Sequence, residues 1–218
     1  MKGRTQLRLF VFMSSLTISA CIALVAAPSS YAAQTIIDEW SSAKPPSAPE
    51  LKSVVTDPKV TALLILDIQK QTCAPTRPRC IASIPSIQGL LTRARAKGMS
   101  VIHSLARGTV ADIHPEVTPQ AGEPVVMSGP DKFLGTDLEK ILKEKGITTV
   151  IIVGTGANGA VLYTSSAAAL RGLRAVVPVD GMSANTLYVE QYVAWHLTNA
   201  PRVSEQVTLT RIDMIQFP

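Results

Sequence analysis

The sequence predicts a three-layer α/β/α domain built on a mostly parallel six-stranded sheet. From about residue 60 to the end, short apolar runs alternate with amphipathic segments, which is the pattern of strands joined by crossover helices. The first run, TALLILDIQ, is continuously apolar, as expected for a strand that is buried on both faces of a parallel sheet.

One domain accounts for the chain. A length of 218 residues, with 46% apolar and 17% charged residues, suits a single globular domain with a sizeable core. We place this domain at residues 60–218. Residues 34–59 contain four prolines and scattered charges, so we expect an extended arm there.

Residues 1–33 have a basic start, an apolar middle and a small-residue exit, which is typical of a secretory signal peptide cleaved near Ala32 or Ala33. An uncleaved membrane anchor and a lipoprotein signal through Cys21 are the alternatives, although the apolar residues after Cys21 disfavour lipidation. We therefore expect an exported protein, periplasmic or secreted, whose mature chain has no stable membrane span.

The charge of the chain argues against nucleic-acid binding. The formal charge of +5 falls to +2 in the mature chain, because the leader carries three basic and no acidic residues. A nucleic-acid-binding protein needs clustered Lys and Arg, which this chain lacks.

The domain begins with a βαβ unit. The strand TALLILDIQ is followed by the amphipathic segment SIPSIQGLLTRARAKG, which stops at Gly98, and then by the strand SVIHSLA. Residues 107–123 are rich in Gly, Pro and charge, so we expect a loop there.

The second half repeats the alternation. After the short strand PVVMS come the helix GTDLEKILKEKG, closed by Gly146, and the strand TTVIIVG. A helix over about 159–171, the strand AVVPVDG, the helix TLYVEQYVAWHLTNA and a strand near VTLTRI complete the domain.

The carboxyl ends of two strands carry suggestive chemistry. Asp67 ends the first strand, and a glycine-rich turn, 154–160, ends a later one. Ligands of parallel sheets bind beyond the carboxyl ends of the strands, so Asp67 faces this turn if the two strands are neighbours.

The turn contains G-x-G-x-x-G (Gly154, Gly156 and Gly159), and Asp180 lies where a ribose-binding acid would stand in a dinucleotide site. However, at least two strands precede the motif, and the chain after Asp180 is too short for a second nucleotide half. Glycines also suit any sharp strand-to-helix turn. We therefore predict no cofactor.

Three motifs in order resemble the isochorismatase-like hydrolases, also called cysteine hydrolases. They are Asp-x-Gln after the first strand, Phe-x-Gly-Thr before the central strand, and the turn with its following Gly-led strand that ends in Asp. Here they are Asp67 with Gln69, then Phe133, Gly135 and Thr136, then Gly172 and Asp180. The resemblance covers about residues 58–215 and implies a Rossmann-like domain.

The resemblance also implies a catalytic Asp, Lys and Cys at the strand ends, with backbone amides beside the Cys that bind an oxyanion. Asp67 matches the Asp, but Ala160 stands at the position of the Cys, so attack from this position is not available. Gln69, Asn158, Gly159 and Ala160 are the candidate substrate and oxyanion-binding residues.

The catalytic Lys is displaced. Its usual position, about six residues before the Phe, is Met127, whereas Lys132 directly precedes Phe133. Lys132 either reaches the pocket or is a solvated loop lysine. Asp67, in turn, is either a buried general acid or base or the cap of a backbone turn.

The resemblance implies hydrolysis of a small amide, carbonyl or enol-ether compound without a Cys nucleophile. In the isochorismatase branch, the small residue at the Cys position accompanies an Asp that protonates an enol carbon. A family member that binds a ligand or partner without catalysis is the alternative. The resemblance also implies a homo-oligomer.

Other candidate groups have simpler interpretations. Cys73 and Cys80 suit a disulfide in an exported protein, with Cys73 as a nucleophile the alternative. His103, His114 and His196 are too scattered for a metal site. Aromatic residues in TLYVEQYVAWHL predict a packed helix face or a subunit interface.

Overall fold

The computed structural model describes residues 33–218, together with Gly3. The predicted signal peptide and its alternatives lie outside the described residues. The chain divides into two units, before and after the bond between Pro45 and Pro46. The described part of the first unit has one 3₁₀ turn, Trp40–Ser42, and all other elements belong to Pro46–Pro218.

The second unit has the predicted alternation of strands and helices. The strands are β1 (Val54–Val55), β2 (Thr61–Leu66), β3 (Ser100–Leu105), β4 (Val125–Met127), β5 (Thr149–Thr155), β6 (Arg174–Pro178), β7 (Met182–Ser183), β8 (Val207–Thr210) and β9 (Ile215–Gln216). The helices are α1 (Pro78–Ala96), α2 (Leu138–Glu144), α3 (Leu162–Leu170) and α4 (Leu187–Asn199).

The main sheet confirms the predicted α/β class. Its order is β4-β3-β2-β5-β6-β8, and every strand pair in it is parallel. The six predicted strands are all present, but the sheet has seven, because the two-residue β7 pairs with the end of β5. Strand order reverses between β2 and β5, where ligands of open α/β sheets bind.

Strand β2 lies in the centre of the core, and all six of its residues are buried. Leu63 and Ile65 face α1, whereas Leu64 and Leu66 face the opposite layer with α2, α3 and α4. This alternation follows the two-residue period of a strand. Each fully buried aliphatic side chain contributes about 1.5–3 kcal/mol, so both helix layers are held firmly against the sheet.

Helix α1 begins earlier than the sequence predicts. It starts at Pro78 rather than at Ser83, because proline suits the first position of a helix, where its missing N–H is not needed. Cys80 therefore lies in the first turn of the helix and not in a surface loop.

The segment predicted as an arm contributes to the compact unit. Strand β1 pairs in parallel with β9, and the N–H of Lys52 donates to the Leu209 carbonyl over 3.0 Å. The compact unit thus begins at Pro46 rather than at residue 60, because these residues hydrogen-bond to the C-terminal strands.

The aromatic residues of α4 do not form one packed face. Tyr192 packs against the core, but Tyr188 and Trp195 are exposed. The expected homo-oligomer stays a prediction. Over residues 33–218, no helix combines the length and apolarity that a bilayer crossing requires.

Candidate active site

Asp67 follows the last residue of β2 and begins the turn that leaves the sheet. Its φ of +56° lies in the left-handed region, which Asp tolerates better than most residues. The hydroxyl of Thr72 and the N–H of Gln69 both donate to its backbone carbonyl. The turn therefore holds the side chain at the carboxyl edge, where Asp67 is only 6% exposed.

Two side chains hold the Asp67 carboxylate. The Lys132 Nζ lies 2.8 Å from Oδ2, and the Ser104 hydroxyl donates to Oδ1 over 2.6 Å. Neither partner is a backbone amide, so the alternative that Asp67 merely caps a turn does not describe this side chain. A buried carboxylate needs such partners, because burial of an unpaired charge is very costly.

Lys132 is fully buried, and the solvated-loop alternative for it is wrong. Besides its contact with Asp67, its Nζ donates to the carbonyls of Ser128 and Gly129 over 3.1 and 2.9 Å. The amino group of Lys132 thus has three acceptors, which hold the side chain in place beside Asp67.

The Phe-x-Gly-Thr motif fixes the backbone that carries Lys132. The Thr136 hydroxyl donates to the Lys132 carbonyl over 2.5 Å, and the N–H of Lys132 donates to Thr164 on α3 over 3.2 Å. Phe133 is buried, and the Arg171 guanidinium lies 4.6 Å from its ring centre. This loop after β4 therefore delivers the lysine that the sequence lacks at Met127, which is exposed.

The glycine-rich turn lies directly beside Asp67, because Gly154 on β5 pairs with Leu66 on β2. A Cβ on Gly154 would collide with the Leu66 carbonyl oxygen, so the close approach of the two strands requires glycine. Gly156 has a φ of +35° and starts a π-helical turn, Ala157–Val161, that leads into α3. Strand spacing and turn geometry thus explain the first two glycines of the motif without a dinucleotide.

The candidate oxyanion residues separate in the structure. Ala160 is buried and lines the cavity described below, whereas Asn158 is exposed and does not reach that cavity. The N–H of Gly159 donates to the Gly156 carbonyl over 2.8 Å, so it is not free to bind a substrate oxygen. The predicted roles of Asn158 and of the Gly159 amide do not fit this arrangement.

Gln69 holds a neighbouring loop in place rather than facing a ligand. Its amide oxygen accepts from the Ala106 N–H over 2.8 Å, and its amide nitrogen donates to the Arg107 carbonyl over 2.7 Å. It is almost fully buried and does not line the cavity. Its predicted place among the substrate-binding residues is therefore corrected to a structural one.

Asp67 opens onto a cavity of about 230 Å³ at the carboxyl edge of the sheet. Its walls come from Asp67, Thr72 and Arg77 after β2, Ala106 after β3, the loop 128–130 after β4, and Thr155, Gly156 and Ala160 at the end of β5. Since a water occupies about 30 Å³ of liquid, the space suits a small molecule.

Cys73 and Cys80 form a disulfide, and both are buried in the core on the α1 side of the sheet. A bonded sulfur is not a thiolate, so the alternative that Cys73 acts as a nucleophile is wrong for this state of the protein. The bridge closes the loop that carries Arg77 along the cavity wall.

Ser104 is the contact that the sequence did not reveal. It pairs with Leu66 in the register of β2 and β3, which places its hydroxyl beside the next residue, Asp67. The sequence could have indicated this contact only together with the strand order, because a polar residue near the end of a strand adjacent to β2 would face this edge.

His103, the neighbour of Ser104, points to the opposite face of the sheet. Burial lowers its pKa, although a hydrogen bond from its Nε2 to Glu123, over 3.0 Å, acts in the other direction. Because a carboxylate only accepts, Nε2 carries the proton, and the buried Nδ1 has no partner within the part of the chain that the structure describes. His103 therefore packs in the core and does not line the cavity.

Glu123 also accepts two hydrogen bonds from Arg95, over 2.8 and 2.7 Å. Burial acts to raise the pKa of Glu123, but the bonds from Arg95, the Gln120 N–H and His103 outweigh it and leave the pKa lowered. Asp180, the candidate ribose acid, accepts from the Ile212 N–H over 2.9 Å and thus anchors a loop. Over residues 33–218, no group of three or more His, Cys, Asp or Glu is arranged to hold a metal.

A parallel sheet with a buried Asp–Lys pair beside a cavity at its strand-order reversal defines a three-layer α/β protein with a candidate site at the carboxyl edge. The chain belongs to the isochorismatase family, since the model of the isochorismatase domain matches residues 61–210. This match confirms the resemblance seen in the sequence. Members of this family are hydrolases.

Individual relatives are more distant. The chain is 27% identical over 161 residues to streptothricin hydrolase of Streptomyces noursei, a match that covers 68% of this chain and 60% of that protein. It is 28% identical over 151 residues to YddQ of Bacillus subtilis, an uncharacterized isochorismatase family protein, covering 61% and 83% of the two chains.

Among solved structures, an isochorismatase family protein from Desulfovibrio vulgaris superposes with a TM-score of 0.65 at 22% identity and covers 71% of this chain and 95% of its own. N-carbamoylsarcosine amidase from Thermoplasma acidophilum superposes with a TM-score of 0.61, also at 22% identity, with 70% and 96% covered. At this identity the similarity shows a shared fold.

Proposed function

We propose that this protein hydrolyses a small amide or related carbonyl compound, with Asp67 as the general base and acid and without a cysteine nucleophile. The observation that carries the proposal is the pairing of Asp67 with Lys132 and Ser104 on the wall of a cavity that Ala160 also lines. The similarity to streptothricin hydrolase supports a hydrolase.

The partners of Asp67 favour action as a base first. Lys132 and Ser104 both direct protons at the carboxylate, so both of its oxygens act as hydrogen-bond acceptors. Protonation of an enol carbon would instead require a neutral acid in this position. The geometry therefore supports amides and esters ahead of enol ethers.

The reaction follows from this starting state. Asp67 takes a proton from a water molecule in the space beside Ala160, and the water oxygen attacks the substrate carbonyl carbon. The carbon–nitrogen bond of the tetrahedral adduct then breaks, and the proton passes from Asp67 to the leaving nitrogen. The overall reaction converts one amide and one water into one carboxylic acid and one amine. Lys132 compensates the negative charge of Asp67 before Asp67 takes the proton and after it gives the proton up.

Turnover of a panel of small amides, esters and vinyl ethers by the mature protein tests the proposal. Asp67→Asn is compared with the wild type, and a Cys73→Ser/Cys80→Ser double variant is the control. Single turnover in ¹⁸O-water then distinguishes the roles of Asp67. A general base puts the label into the product acid and none into the protein, whereas label found in the Asp67 carboxylate would reveal a nucleophilic Asp67.

The outcomes separate the alternatives. Turnover that is lost in Asp67→Asn and retained in the double variant, with no covalent adduct in the protein mass, supports the proposal. Loss of turnover in the double variant alone would point to the cysteines. No turnover of any compound, with ligand binding retained, would favour a non-catalytic binding protein.

We also propose that the mature protein works outside the cytoplasm. The disulfide between Cys73 and Cys80 supports this location, because disulfides persist in oxidising compartments. Fractionation of cells that express the full chain, with immunoblotting of each fraction, tests it. A full-length protein found only in the cytoplasm would contradict it.

A further inference from the structure

Arg77 is the charged residue of the cavity wall that the proposed mechanism does not use. It lines the same cavity as Asp67 and Ala160 and is half-buried. Over residues 33–218, no hydrogen bond or ion pair involves its guanidinium, whereas the nearby Arg79 is paired with Glu190. A partly desolvated guanidinium without a partner attracts an anion.

The charge balance of the cavity points to the same ligand. Asp67 and Arg77 are its charged lining residues, and Lys132 already compensates Asp67 through the 2.8 Å contact. The charge of Arg77 is therefore left over, and the wall has a net charge of about +1, which favours a ligand with one negative charge.

The backbone of Arg77 is held in place from both sides. Its N–H donates to the Ala74 carbonyl over 2.7 Å, and its own carbonyl accepts from the Cys80 N–H over 3.0 Å. The disulfide closes the loop 73–80 around it. Such pre-organisation lowers the entropic cost of binding, because only the side chain must be ordered.

We infer, on the basis of the proposed function, that Arg77 binds a carboxylate of the substrate, so that the preferred substrates are small amides that carry a carboxylate. A guanidinium presents a planar pair of donors that matches a carboxylate, so the residue determines specificity and does not take part in the bond cleavage. The cavity of about 230 Å³ limits these compounds to short chains.

Matched pairs of compounds test the inference. Malonamate, succinamate and glutaramate are compared with the uncharged malonamide, succinamide and glutaramide, both in turnover and in binding to Asp67→Asn by calorimetry. Arg77→Gln removes the positive charge, whereas Arg77→Lys keeps the charge but lacks the planar pair of donors. Arg174→Gln, an exposed arginine at the amino end of β6, is the matched control.

We expect the wild type and Arg174→Gln to prefer one of the carboxylates over its uncharged partner. In Arg77→Gln, KM and Kd for the carboxylate rise about 10- to 100-fold and by more than the values for the uncharged amides, so the preference for the carboxylate falls. Arg77→Lys recovers only part of this preference, and it also serves if the glutamine variant does not fold.

Two results would overturn the inference. One is that the wild type prefers none of the three carboxylates over its uncharged partner, or binds none of them. The other is an Arg77→Gln variant that keeps the preference. Carboxylate binding that depends on Arg77 but is not followed by turnover would instead overturn the proposed function and leave this inference standing.

Discussion

Two clusters of charge, one buried and one partly buried, lie on opposite faces of the same sheet and are joined by neighbouring residues of β3. On one face, Ser104 binds Asp67, which pairs with Lys132; on the other, His103 binds Glu123, which pairs with Arg95. Both clusters contain a carboxylate that is held by a cation and a second donor.

The difference between them is access to a cavity. Asp67 lines the space at the carboxyl edge of the sheet, whereas Glu123 lines none of the described cavities and ties the loop before β4 to α1 through Arg95. Pairing with a cation and partial burial thus do not by themselves mark a catalytic group. A paired carboxylate becomes a candidate when a substrate can reach it.

The strongest test of this distinction compares the two carboxylates directly. Asp67→Asn lowers kcat/KM by about 10²- to 10⁴-fold, the usual contribution of a positioned acid or base. Glu123→Gln leaves activity within a few fold and lowers the free energy of unfolding instead. Activity assays and urea unfolding of both variants test this expectation. Equal losses of activity in the two variants would contradict the distinction between a catalytic Asp67 and a structural Glu123.

We expect Lys132 and Arg95, the cations of the two clusters, to differ in their contribution to the free energy of unfolding. Lys132→Met leaves the buried Asp67 without its cation and lowers the free energy of unfolding by about 3–5 kcal/mol, with loss of activity. Arg95→Met costs less, because its side chain is 22% exposed and Glu123 keeps its bonds from the Gln120 N–H and His103. Urea unfolding measures both, and a larger loss in Arg95→Met would contradict the ranking.

Removal of the disulfide tests whether the cavity wall and the catalytic pair are separate parts. In the Cys73→Ser/Cys80→Ser variant, the free energy of unfolding falls by about 2.5 kcal/mol, as expected for a loop of this length. We expect kcat to persist below the new melting temperature, because neither cysteine is among the residues that line the cavity. Thermal unfolding and initial rates at low temperature give the two values, and a kcat reduced as far as in Asp67→Asn would contradict the separation.

The smallest effect belongs to His103 and depends on pH. Burial lowers its pKa in the folded state below the ordinary 6.5, so the unfolded chain binds the proton first as the pH falls. Stability is therefore lost as the pH decreases from about 6.5 towards the folded pKa, and His103→Gln should remove this loss. Unfolding across pH 5–7.5 measures it, with His114→Gln as control; an unchanged slope in His103→Gln would refute the assignment.

The sequence predicted the sheet and the place of Asp67, because continuous apolar runs and glycine stops report directly on burial and chain reversal. It did not predict β7, whose two residues carry no periodic signal, or the start of α1 at Pro78. Lys132 was ambiguous, since a loop lysine shows its burial only through contacts. Ser104 and Arg77 were missed because their roles depend on strand order and on the closure of the 73–80 loop.

The three glycines of the turn are not equivalent, and this affects how the site can be varied. At Gly154 an added methyl group would collide with the β2 backbone and widen the gap between the central strands directly beside Asp67. Gly159 has an ordinary φ, and among the described residues no atom outside its own helical turn lies within 4 Å of an added Cβ, so it can accept alanine. Variants of the turn can therefore include alanine at residue 159 but must keep residue 154 as glycine, since the spacing of the central strands depends on the absence of a side chain at Gly154.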